Sequence, residues 1–205
     1  MDSYITVRRA ASFEYEDRKS RFIARCTPVE SEAEALSFID SVRRAFPDAT
    51  HHVYAYSIKE NSITRFTDDR EPQGTAGMPV LDIIRKNNCT NVAIVVVRYF
   101  GGTLLGTGGL VRAYSGAALG ALKAAELITY DLYAIYSLEC SYSDYQKLGT
   151  IFESTGFRQE DTEYYESIRI GGSIRASDAE DFEDKLVQAT GGRIKIKKID
   201  EKFDF

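Results

Sequence analysis

The chain is 205 residues long, 43% hydrophobic and 12% aromatic, enough to bury one large core or two small ones. Its net charge of -5 is unevenly placed, with 16 Lys+Arg against 16 Asp+Glu in residues 1–132 and 10 against 15 in residues 133–205, so it is not coated in positive charge as strong non-specific nucleic-acid binders usually are. No apolar run approaches the ~18 residues of a membrane span, no signal-peptide pattern is present, and Cys26, Cys89 and Cys140 lie far apart without a CxxC pair, which together predict a cytoplasmic protein with reduced thiols and no cysteine-bound zinc.

In chain order, strands are predicted from about Thr6 to Cys26. A helix follows from about Ser31 to Phe46, ended by Pro47. Ser31 opens a capping box with Glu34, and Ala35, Leu36, Phe38, Ile39 and Val42 form the apolar face. His51 to Lys59 reads as a strand, Thr67 to Gly77 as a loop and Met78 to Asn87 as a helix. Val92 to Val97 are consecutive apolar residues, mostly β-branched, suited to a strand buried on both faces. A glycine loop and then a helix from Gly109 to about Ile128 complete the first region. The second region reads as strand Ala134–Ser141, helix Asp144–Thr155 stopped by Gly156, strands Phe157–Tyr164 and Glu166–Ile174, helix Ser177–Thr190 and strand Arg193–Ile199. Ser177 and Glu180 match a second capping box, and Gly191 and Gly192 end that helix. The order βαββαβ predicts a ferredoxin-like unit. The chain therefore reads as two α+β domains, 1–132 and 133–205, joined by a short hinge near 130–134.

The glycine segment carries the strongest local signal. Gly101, Gly102, Gly106, Gly108 and Gly109 stand between a buried strand and a helix start, where free backbone N–H groups and the helix dipole favour an anion, and Arg98, Thr107 and Arg112 flank or enter the loop. The dinucleotide pattern GxGxxG fails at Val111, and the Walker pattern fails at Thr107 and Gly108. The alternative is a tight turn whose glycines let the small face of Ala113, Gly116, Ala117, Gly120 and Ala121 approach the sheet. In Thr67–Pro79, Asp68, Asp69 and Glu71 precede Gly74, Thr75 and Gly77. These carboxylates suit magnesium or a cationic partner, or a solvated turn with an Asp cap. Lys19, Ser20 and Arg21 form part of a basic run entering a strand, and Arg193, Lys195 and Lys197 alternate with isoleucines, placing cations on one face of an edge strand. Both groups suit phosphate contacts, and the second also suits protection of an edge. His51 and His52 are adjacent on a strand, point to opposite faces and cannot chelate one metal together.

The segments RKSRFIA, HHVYAY, DDREPQGTAGMP and VVVRYFGGTLLGTGGLVRAY resemble, in order and character, the motifs of the IMPACT family, whose bacterial members are called YigZ-like proteins. The motifs occupy about residues 18–118, and the remaining tail resembles the additional C-terminal domain of the bacterial members. The family usually reads DDGEP, so Arg70 stands here at a glycine position; a φ > 0 turn there would strain Arg70, and otherwise its charge would alter the site. The resemblance implies an N-terminal domain like the second domain of a small-subunit ribosomal protein, a fold shared with elongation factor G and GHMP kinases, and a ferredoxin-like C-terminal domain. Eukaryotic relatives regulate translation by binding a scaffold protein that activates an initiation-factor kinase. No established activity travels with the family. The expected function is binding to RNA, the ribosome or a translation factor. The alternatives are a phosphate- or nucleotide-handling enzyme, with a small anionic ligand in the glycine loop and magnesium at Asp68, Asp69 and Glu71, and a protein-interaction adaptor.

Overall fold

The computed structural model describes residues 3–205, so the first two positions of the expected domain 1–132 lie outside the described residues. Two compact units emerge from the chain's internal contacts, one of Tyr4–Thr129 and one of Tyr130–Phe205 together with Ser3. In the first, β1 (Ser3–Val7) is anchored where the Ile5 carbonyl accepts the Thr90 N–H at 2.8 Å and the Thr6 hydroxyl donates to the Asn91 carbonyl at 3.0 Å. A sheet follows with order β2-β3-β6-β4-β5, formed by β2 (Ala11–Asp17), β3 (Ser20–Pro28), β4 (His51–Ile58), β5 (Ile63–Thr67) and β6 (Val92–Tyr99), every neighbouring pair antiparallel.

The central strand explains why the sheet is covered on both sides. Val92, Ile94 and Val96 of β6 enter one core with helices α2 (Gly77–Lys86) and α3 (Gly106–Ala124), while Ala93, Val95 and Val97 enter another with α1 (Glu32–Ala45). Each fully buried aliphatic side chain of this kind contributes about 1.5–3 kcal/mol, so a single polar substitution in β6 damages one layer outright. On α1, Ala35, Ile39 and Val42 face that core, whereas Leu36, expected on the same face, is 47% exposed. Ser31 caps α1 by accepting the Glu34 N–H at 3.3 Å, and the Glu34 carboxylate reaches back to the Glu30 N–H at 2.8 Å.

The second unit is built from β7 (Leu127–Cys140), α4 (Tyr142–Thr155), β8 (Arg158–Tyr164), β9 (Ile168–Arg175), α5 (Ala179–Thr190) and β10 (Lys195–Asp204). Spatial order β10-β7-β9-β8 with antiparallel pairing is the ferredoxin-like arrangement. Ala134, Tyr136, Leu138 and Cys140 recur every second residue on β7 and meet Leu148 and Phe152 of α4 and Phe182 and Leu186 of α5. The rings of Phe157 and Phe182 stack at 4.7 Å. Gly156 and Gly191, both left-handed, end the two helices as expected.

Four expectations need correction, and one element is new. The last strand starts at Lys195, not Arg193, and runs on to Asp204. Helix α3 begins at Gly106, not Gly109, and ends at Ala124, not Ile128, because Glu126 takes a left-handed φ of 59° and Leu127 already starts β7. The hinge expected at 130–134 lies inside the unbroken strand β7. Ser177 is no cap: it sits in a short 3-10 turn ahead of α5 and donates to the Asp178 carboxylate at 3.2 Å. Strand β5, unforeseen in the sequence, pairs with β4 through Tyr54–Ile58.

Because each unit has its own hydrophobic cluster, a fragment ending at Asp131 is expected to unfold cooperatively on heating with near-ultraviolet circular dichroism intact at low temperature. A molten fragment without such a signal would show that the first unit does not fold alone.

Candidate functional site

A carboxylate with almost no access to water lies at the centre of the first unit. Glu71 and Arg98 have side chains 4% and 6% exposed, and the Arg98 Nη1 donates to Glu71 Oε1 at 2.6 Å. The Tyr114 hydroxyl donates to the same oxygen at 2.7 Å, and His51 Nε2 stands 3.7 Å from it. Burial beside this carboxylate pushes the Tyr114 phenol well above its usual range, so it stays a hydrogen-bond donor. Arg98 is also sandwiched between rings: its guanidinium lies 5.4 Å from the Phe22 ring and 5.5 Å from the Phe100 ring, and Nη2 donates to the Ser20 hydroxyl at 3.3 Å.

Local geometry delivers these groups from separate segments. Antiparallel pairing puts His51 of β4 directly opposite Arg98 of β6. His51 Nδ1 lies 2.7 Å from the Asp69 carbonyl, and His52 points elsewhere, with Nε2 2.9 Å from the Phe46 carbonyl. Arg18 and Lys19 form the two-residue turn between β2 and β3, both with positive φ. Gly101 is required there for space, since a Cβ would overlap the Lys19 carbonyl and the Ser20 nitrogen. Its N–H donates to the buried Ser20 hydroxyl at 3.2 Å. Gly102 turns at φ 81° and Gly106 opens α3 at φ 72°, a conformation that costs a residue with a Cβ about 1–2 kcal/mol.

Above the Glu71–Arg98 pair is a cavity of about 450 Å³ whose lining includes His51, Pro72, Phe100, Leu104, Gly106 and Thr107. It is the size of a small-molecule site and largely apolar, with the ion pair as its polar feature. Leu104 is 81% exposed at its edge. No side chain caps α3, so the backbone N–H groups of its first turn carry the dipole's positive end; Gly106 and Thr107 are both on the cavity wall, Gly108 and Gly109 continue the turn, and Arg112 is exposed one turn further on.

The carboxylates of this loop are engaged by the protein's own donors. The Asp68 carboxylate accepts from Gly74, Ala76 and Gly77 N–H groups at 2.9, 3.1 and 2.8 Å, satisfying the start of α2. Asp69 accepts the His52 N–H at 2.6 Å, and the Thr75 hydroxyl donates to the Pro72 carbonyl at 2.6 Å. With Glu71 committed to Arg98, the three acids point to three tasks, and among the described residues no group of three His, Cys, Asp or Glu is placed to hold a metal ion. Arg70 occupies its glycine-like position at φ 69° and donates at 3.2 Å to the carbonyl of Thr50, a residue of the cavity wall.

The other basic candidates separate. Arg21 makes a double hydrogen bond with Glu14 at 3.1 and 2.8 Å. Arg193 lies ahead of β10 and grips Asp144 through two bonds at 2.7 and 3.1 Å, and Lys195 pairs with Glu139 at 3.2 Å. The stripe of three cations is therefore partly neutralised, leaving Lys197 beside Ser137, Glu139 and Arg169 along a shallow groove. His51, Phe100, Leu104 and Tyr114 all lie in the segments that resemble the family motifs, but the sequence does not single them out as site residues, since the strand register and the helix packing are what bring them together.

Residues 18–122 match the Impact N-terminal domain, and residues 138–193 match a domain of unknown function, DUF1949. The chain is 33% identical to the IMPACT family member YvyE of Bacillus subtilis, covering 96% of this chain and 91% of that one. The chain belongs to the IMPACT family. IMPACT family member YigZ of Escherichia coli is 30% identical over 98% of this chain and 100% of its own length. A solved structure described as the crystal structure of an hypothetical protein is 30% identical, covers 98% of both chains and superposes with a TM-score of 0.62, the same α+β architecture. The human Protein IMPACT matches over 94 residues at 34% identity, covering 44% of this chain and 29% of that protein. The carboxylate, the arginine and the tyrosine of the buried cluster all fall within the segment matched to the Impact N-terminal domain.

Removing one partner of the buried pair strands the other's charge. Arg98→Met is expected to lower unfolding stability by about 3–5 kcal/mol in urea titrations, against about 1 kcal/mol for Tyr114→Phe; equal small losses would show that Glu71 is solvated. In the second unit, hydrogen bonds from Arg193 and Lys147 hold the Asp144 carboxyl well below the usual carboxylate range. A depressed folded value means stability that is complete above the unfolded value of about 3.9 and is lost as pH falls below it. Asp144→Asn is expected to flatten the acid side of the stability curve measured by chemical denaturation from about pH 6 to about pH 2; an unchanged slope would remove Asp144 from the account.

Proposed function

We propose that this IMPACT family protein acts by binding single-stranded RNA within the translation machinery, with the first unit as the contacting surface. The observation that carries the reading is the setting of the cavity. Two arginines on different loops are tied to backbone carbonyls of its wall, Arg18 to Leu104 at 3.4 Å and Arg70 to Thr50 at 3.2 Å. A guanidinium spending one donor on a carbonyl is held in place with others left for phosphate oxygens. Phe100, 46% exposed beside them, supplies an aromatic surface of the kind on which unpaired bases stack. The even charge balance of residues 1–132 leaves such a local cationic rim intact, whereas residues 133–205 carry excess acid. The resemblance to eukaryotic regulators of translation supports the same target class. Among the described residues no helix is long and apolar enough to cross a membrane.

The enzyme alternative with magnesium at Asp68, Asp69 and Glu71 draws less support, because Asp68 and Asp69 already accept from backbone N–H groups of α2 and β4. Titration of the full chain with a single-stranded RNA oligonucleotide over a salt series tests the binding reading. Affinity is expected to fall with salt, and Arg18→Ala or Arg70→Ala to flatten the slope by about 0.7 for each phosphate no longer neutralised. Absence of saturable binding at low salt, or a slope unchanged in both variants, would overturn it.

A further inference from the structure

The cavity has more specific chemistry than a cationic rim. Glu71 Oε1 receives both the Arg98 and Tyr114 bonds, so the acceptor capacity of the other carboxylate oxygen is not spent on them, and Glu71 itself lines the cavity. Arg98 lines it too, and its Nε is the buried side-chain nitrogen or oxygen without a hydrogen-bond partner among the described residues. An unpaired buried donor is a standing cost to the fold, and Nε, sealed from solvent, is not itself offered to a ligand. Around the cavity stand Phe100, Leu104, Leu105 and Leu110, and at one side the uncapped first turn of α3.

We infer that this cavity takes one unpaired nucleotide. The planar base lies against Phe100 and Leu104 and presents an N–H of its pairing edge to the Glu71 carboxylate, while its phosphate meets the N–H groups at the start of α3. The order of chemistry around the cavity carries the assignment: an acceptor at the floor, an apolar and aromatic wall, and an anion-favouring helix start at the edge. Inorganic phosphate would use only the last of these and a purely apolar ligand only the second. The Glu71–Arg98 pair is neutral as a unit, so the buried carboxylate does not bar an anion. The inference rests on the RNA reading for its biological setting, but the cavity's chemistry stands apart from it.

Calorimetric titration of the full chain with the four nucleoside 5′-monophosphates, ribose 5-phosphate and inorganic phosphate provides the test. One saturable site is expected for the nucleotides, with ribose 5-phosphate about tenfold weaker or undetected. Leu104→Ala, at a position 81% exposed, is expected to weaken nucleotide binding by about tenfold at unchanged melting temperature. Phe100→Ala is expected to weaken it as much but also to lower the melting temperature, since that ring covers Arg98, and Glu71→Gln carries the added cost of the broken ion pair, so both are read beside Leu104→Ala. Equal affinity for ribose 5-phosphate or phosphate, or nucleotide binding indifferent to both exposed variants, would overturn the base-binding assignment. RNA binding that neither these variants nor excess nucleotide affects would sink the cavity's role and leave the RNA reading standing; nucleotide binding without RNA binding would do the reverse.

Discussion

The arrangement of the first unit depends on one oxygen atom. Glu71 Oε1 accepts from Arg98 and Tyr114, and a carboxylate held this far from water is tolerable only while those donors stay in place. Through Arg98 the same oxygen is linked to the Ser20 hydroxyl, and through Ser20 to the N–H of Gly101. The end of β6, the start of β3, the glycine segment, the middle of α3 and the loop ahead of α2 are thus held in register by a short chain of polar contacts inside apolar surroundings. An apolar substitute of equal volume would fill the space but would not fix these segments to one another, because dispersion contacts lack direction.

The neighbouring acids show how residue type and position divide labour. Asp68 is short enough to curl onto three amide groups at the beginning of α2, whereas Glu71, one methylene longer and pointing inward, reaches the sheet. The turn that separates them carries Asp69 and Arg70 in the left-handed region, at φ 41° and 69°. Such backbone strain persists where surrounding contacts over-determine it, here the His52 N–H on Asp69 and the Thr50 carbonyl on Arg70. The same turn thereby sets both the depth of Glu71 and the position of a cation at the cavity edge.

Much of the fold is legible in the sequence because its signals are local. The unbroken apolar run Val92–Val97 announces a strand covered on both sides, Ser31 announces a helix start, and Gly156 and Gly191 announce two helix ends. The site is only half legible. Arg98 and Glu71 each stand in a conspicuous motif, but their pairing spans 27 positions and needs the sheet order to be known. His51 enters because β4 pairs with β6 in one register and no other, and Tyr114 looks in sequence like any core aromatic of a small-residue helix. The separate partners of Asp68, Asp69 and Glu71 are illegible for a related reason: clustered carboxylates look alike in sequence, while the backbone decides whether each faces an amide, a guanidinium or solvent. Arg193 departs from its apparent pattern because the alternation with isoleucines is real, yet the strand begins two residues later and Asp144 claims the guanidinium.

All three thiols of the chain are buried. Burial raises each above its ordinary value, Cys89 up to about 12, so at neutral pH they are protonated, shielded and chemically quiet. The sequence also contains no tryptophan. The native molecule is therefore a silent background for site-directed labelling: a cysteine placed at Thr103, exposed next to the cavity but not part of its lining, would be the sole accessible nucleophile of its kind, and a dye or spin label attached there would report occupancy of the cavity without first stripping the protein of its own sulfur.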